Sequence, residues 1–162
     1  LLATRGERLA LMRSAMTMED ETIGPSAIDS LMLIAADERG EIAAYDRWDL
    51  DDLDAAYAEL DARWGSGEGA EHASQLAFLR NFDAALARRD WDALAAGFAP
   101  GFVGDDHRLV SWGTLHGDAF VEAFRALVAL APDVRLRWDH LRLSSSAMLA
   151  EAVLTSALRP DM

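Results

Sequence analysis

Histidines stand at positions 72, 107, 116 and 140, and they are the side chains whose charge changes nearest neutral pH. Their spacing holds no i, i+4 pair or other ligand pattern, and the chain has no cysteine. A metal site, thiol chemistry and disulfides are therefore not expected. His107 follows Asp105-Asp106 and could shuttle a proton, or simply sit solvated at a strand turn. His116, beside Gly117 at a helix start, reads either as a ligand contact or as a loop residue. His140, ending a strand that carries Trp138, reads either as an inward group or as part of a rim. Gly65-Ser66-Gly67-Glu68-Gly69 follows a helix, whereas phosphate loops and dinucleotide fingerprints follow a strand. No nucleophile elbow occurs either, so nucleotide chemistry is not supported and no cofactor is expected.

The chain that must position these groups has 162 residues, 51% hydrophobic and 27% charged, the profile of a globular protein with one core. Its formal charge of −13 and pI near 4.5 repel nucleic acid and anionic membranes. The arginines are scattered, with no basic stripe interleaved with aromatics, so neither partner is expected. The longest apolar stretch, residues 31–36, is far short of a membrane span, and the N-terminus lacks the layout of a signal peptide. These features predict a cytoplasmic protein.

Strand-like runs are predicted at 7–18, 30–36 and 41–48, the last two joined by an Asp37-Glu38-Arg39-Gly40 turn. Helical spacing of Leu50, Leu53, Tyr57, Leu60 and Trp64 then predicts a helix that stops at Gly65, before a flexible linker. Helices follow at about 74–89, after the Asp90 cap, and after an Asp118 cap. Strands are expected at 102–106, 109–112, 134–139 and 147–158. In the strand at 134–139, Val134, Leu136 and Trp138 face inward and Arg135 and Arg137 outward.

Residues 75–158 resemble the first two-thirds of a SnoaL-like (nuclear transport factor 2-like) cone domain. The resemblance rests on Leu79-Arg80-Asn81-Phe82-Asp83-Ala84-Ala85-Leu86, Asp90-Trp91-Asp92, Phe98-Ala99-Pro100, Asp105-Asp106-His107 and Gly117-Asp118. Residues 1–64 resemble the last third of such a domain, ending in Asp51-Asp52-Leu53-Asp54-Ala55-Ala56-Tyr57-Ala58-Glu59-Leu60-Asp61-Ala62-Arg63-Trp64. Laying residues 1–22 over 141–162 pairs Leu1 with Leu141, Leu9 with Leu149 and Ala10 with Ala150. That is the pattern of a repeat of about 140 residues entered mid-unit. The implied division is 1–64 as the closing strands and helix of one cone repeat, 65–73 as linker, and 74–162 as the start of the next. Together these make one globular unit within a tandem array of a larger cyclase-like or ATPase-type bacterial regulator.

The resemblance implies an α+β fold: a strongly curved, mainly antiparallel sheet wrapped around three helices, a cystatin-like cone, circularly permuted or strand-exchanged. It places Asp106 where ketosteroid isomerases keep their base, with His107 next to it; the other reading of Asp106 is a strand-end residue bonding backbone amides or Arg108. The same alignment puts Phe82 where those enzymes carry an oxyanion-donating Tyr, so the donor is missing. Phe82, Phe98, Trp112, Phe120 and Trp138 would line the cone with His116 and His140, a pocket for a small apolar molecule; core packing alone also accounts for the rings. The function expected is a non-catalytic accessory module for ligand binding or association, as a homodimer or with neighbouring repeats. The alternative is an acid–base enzyme acting on a small apolar carbonyl compound.

Overall fold

A computed structural model describes residues 1–19, 22 and 24–156. The chain is α+β, with four α-helices, a mixed six-stranded sheet and a separate two-stranded hairpin among the described residues. Its described residues divide into two compact units, the first within 1–73 and 138–152, the second within 74–137 and 153–156.

In the first unit, strands β1 (Ala3–Arg5), β2 (Leu9–Met18), β3 (Ser26–Ala36) and β4 (Ile42–Trp48) form an antiparallel meander. Asp37 closes the β3–β4 turn, its Oδ1 accepting from the backbone N–H of Arg39 and Glu41 at 2.8 and 3.0 Å. Gly40 ends that turn at φ +79°, a conformation that favours glycine. β1 also pairs in parallel with β7 (Arg135–Leu143) at Thr4↔His140 and Arg5↔Leu141. β8 (Met148–Thr155) follows β7, giving the sheet order β4-β3-β2-β1-β7-β8. Of the last expected strand, residues 157 and 158 lie outside the described residues.

Helix α1 (Leu53–Ser66) buries Ala56, Tyr57, Leu60 and Trp64. With Ala3, Leu11, Leu31, Leu33 and Leu141, these form the core of the first unit. Fully burying such a side chain contributes about 1.5–3 kcal/mol. The expected linker is structured: α1 runs through Gly65 and Ser66, and a 3-10 turn occupies Glu68–His72. Gly69 is buried there, and a Cβ added to it would lie 2.9 Å from Cδ2 of Trp64, so the position has room only for glycine.

In the second unit, α2 (Ala73–Arg88), α3 (Trp91–Ala96) and α4 (Gly117–Leu130) surround a core of Ala85, Leu86, Leu94, Val121 and Phe124, with Leu136 packed against it. Asp90 caps α3 by accepting the Ala93 N–H at 3.1 Å. Asp118 sits inside the first turn of α4, and His116 holds the capping position without a side-chain bond. β5 (Val103–Asp106) pairs with β6 (Gly113–His116).

Several expectations need correction. The sheet is mainly antiparallel as expected, with β1 and β7 paired in parallel, but it is not strongly curled. Strong bends come from bulges and glycines. No described residue of its six strands is glycine, and the β3–β4 register shifts only between Ala35 and Ala36. Among the described residues four α-helices are present, not three. Residues 109–112 are a loop, with Leu109 and Val110 exposed, and the strand lies after them. In β7, Arg135 is exposed and Leu136 half-buried as expected, but beyond Arg137 the buried residues are Asp139 and Leu141, and Trp138 is half-buried.

Candidate functional site

Asp106 ends β5, and its carboxylate closes the loop to β6. Arg108 donates to it through Nε at 2.8 Å and a terminal nitrogen at 2.6 Å, and the backbone N–H groups of Arg108 and Trp112 add bonds of 3.1 and 3.0 Å. The Arg108 guanidinium also lies over the Trp112 ring, 5.9 Å from its centroid. The Arg108 side chain, then the Trp112 N–H, holds the Asp106 carboxyl well below the usual carboxylate range. Arg108 is correspondingly raised by the Asp106 bond. A carboxylate stabilised in this way is a weak base, the opposite of the raised pKa that proton abstraction requires. His107 is exposed beside it.

All six phenylalanines of the chain join Trp112 in one ring cluster in the second unit. Phe82 meets Phe98 and Phe124 edge-on at 6.1 and 5.7 Å, Phe98 stacks on Phe102 at 4.4 Å, and Phe120 meets Trp112 at 6.3 Å. Such geometry adds to burial. The residues expected to line one pocket fall on separate clefts. Phe82 lines one of about 380 Å³, Phe98 and His116 one of about 490 Å³, and Asp106, Trp112 and Phe120 one of about 220 Å³. Trp138 and His140 belong to the first unit, where Nδ1 of His140 is 2.8 Å from Oγ1 of Thr4.

The first unit holds a buried polar network that the sequence reading did not single out. Arg5 is 1% exposed, and it donates to Asp61 at 2.6 Å and to the carbonyls of Thr4, Asp139 and Trp138 at 2.9, 3.0 and 2.8 Å. The Tyr57 hydroxyl donates to the buried Asp139 carboxylate at 2.7 Å. A buried guanidinium is tolerated only with such complete pairing. Nearby, a cavity of about 240 Å³ is lined by residues that include Glu7, Trp64, Glu68, His72 and Arg142. No short motif could reveal either feature, because the contributing residues come from three distant stretches of chain. Among the described residues no cluster of His, Asp and Glu is arranged to hold a metal ion.

In comparison with known proteins, the chain matches no family model, no curated protein and no solved structure.

Proposed function

We propose that this chain is a non-catalytic accessory module of a larger regulatory protein, of SnoaL-like cone type, working by small-ligand binding or protein association. The observation that carries the reading is the engagement of Asp106: the one carboxylate aligned with a cone-enzyme base is committed to Arg108 and Trp112. Phe82 supports it, since a ring packed among other rings offers no hydrogen bond to a developing oxyanion. A cytoplasmic setting, and association with a second copy or with neighbouring repeats, belong to the same proposal. Among the described residues no helix is long and apolar enough to cross a membrane.

The test is deuterium exchange next to the carbonyl in a panel of small ketones, with wild type, Asp106→Asn and Phe82→Tyr. Losing one oxyanion donor costs about a hundred- to a thousand-fold, so neither wild type nor Asp106→Asn should exceed the buffer rate. Rapid exchange by the wild type that Asp106→Asn abolishes would overturn the proposal and establish the acid–base enzyme instead.

A further inference from the structure

Successive side chains of a strand point to opposite faces of its sheet, and β2, β3 and β4 are apolar on both. Helix α1 packs against β2 and β3, and Leu9, Leu11, Leu31 and Leu33 are buried on its side. The opposite face carries the cross-strand pairs Met12↔Met32, Met16↔Ile28 and Ile34↔Tyr45. Within the first unit α1 is the one α-helix among the described residues, so no helix of that unit covers this second face. Met16, Ile28 and Tyr45 are 41%, 45% and 64% exposed on it. An antiparallel sheet with one wet face alternates apolar with polar residues, whereas strands covered on both faces read as continuous apolar runs. The run Leu31-Met32-Leu33-Ile34 in β3 is of the second kind.

Charge separates the two faces. On the side of α1 these strands carry Arg13 paired with Asp29, and Asp46 paired with Arg63 of the helix. On the open side they carry no acidic residue and one base, Arg47, which stands opposite Met32. Arg47 is exposed and forms no ion pair with any described residue. In a chain of net −13, two copies that meet through carboxylate-bearing surfaces repel each other. The open face of β2–β4 brings no carboxylates together. A second copy also complements it, since a two-fold interface sets one patch against itself and an uncharged apolar patch fits its own image. The acidic surface around that patch in the second copy supplies partners for Arg47. Methionine side chains, flexible and polarizable, adapt to such a contact.

We propose that the open face of β2–β4 is a homodimer interface, with the two sheets packed face to face across a two-fold axis. The dimer deepens the association reading given above and rests on it. The ketone assay probes Asp106 in the other unit, so either result can fail without the other.

Sedimentation equilibrium of the full chain tests the interface over roughly 1–200 μM, since interfaces of ordinary size give micromolar or tighter complexes. The wild type should dimerise in that range. Raising sodium chloride from about 0.02 to 0.3 M should tighten the dimer, because screening relieves repulsion between two acidic copies. Ile28→Glu and Tyr45→Glu place a carboxylate on the open face at positions already exposed. Each should weaken the dimer about tenfold or more, because like charges set against each other are costly at an interface. Ala27→Glu adds the same charge at an exposed position one residue along, on the other face, and should weaken the dimer by less than about twofold. The two test positions lie on different strands, so a folding defect in one variant, read by circular dichroism, leaves the other to decide. A monomer throughout the concentration range would overturn the proposal. So would a dimer that the three glutamate variants weaken alike, or one that neither Ile28→Glu nor Tyr45→Glu weakens.

Discussion

Asp106 and Arg108 lie two residues apart, close enough for their pairing to be one of two readings open from sequence; the Trp112 N–H bond was not readable, because it exists only once the loop closes. The four hydrogen bonds on this carboxylate make it the organiser of the loop that presents Leu109 and Val110 to solvent. Folding lowers its pKa, so the contribution of these bonds is complete above the unfolded carboxylate value, near pH 4. It is lost only as pH falls through the lower folded value. Amide hydrogen exchange across residues 107–112 should therefore stay slow from neutral pH to about pH 3 in the wild type. Asp106→Asn should be fast over the whole range. Loop opening in the wild type well above the carboxylate range would show that a group other than Asp106 controls it.

Elements set by dense local signals were legible, and those set by distant partners were not. The spacing of Tyr57, Leu60 and Trp64 placed α1, and Asp37 with Gly40 placed the β3–β4 turn, since both depend on neighbours within a few residues. β1 escaped because three residues carry no periodicity, and its parallel partner lies 136 positions away at Thr4↔His140. The run at 109–112 has strand-like composition, but Asp106 draws its ends together and turns it into a loop. Gly65 to Gly69 suggested flexibility, although Gly69 serves close packing against Trp64. Gly69→Ala tests that difference. A free linker would tolerate it or gain slightly, by about 0.4–1 kcal/mol, from a less flexible unfolded chain. A Cβ placed 2.9 Å from both Cδ2 and the carbonyl oxygen of Trp64 should instead cost about 1–3 kcal/mol through overpacking. Urea unfolding of the variant measures it, and an unchanged or raised midpoint would return the segment to a linker.

Across the whole molecule the order of elements conveyed the α+β class, while curvature and the first-unit cavity stayed hidden. Curvature depends on where bulges and glycines fall within strands, and the cavity joins residues 6–7, 64–72 and 142–143. Charge, in contrast, is a property of the whole chain and can be read directly. All 15 basic residues are arginines, set against 28 acids, for a net −13. Two opposing terms act when salt is added. Screening relieves the mutual repulsion of the excess carboxylates, and it also weakens the ion pairs. The pairs of Arg13 with Asp29 and Arg39 with Glu41 have both partners substantially exposed, and such pairs contribute only about 0–1 kcal/mol each. Arg5–Asp61 has its guanidinium buried and is screened little. Repulsion should therefore prevail. The melting temperature at pH 7 should rise by several degrees between about 0.01 and 0.5 M sodium chloride, as the screening length shrinks from roughly 30 Å to a few ångströms. Most of the rise should come below about 0.15 M, where that length falls under the spacing of surface charges. A melting temperature that falls with salt would mean that the ion pairs outweigh the excess of acid.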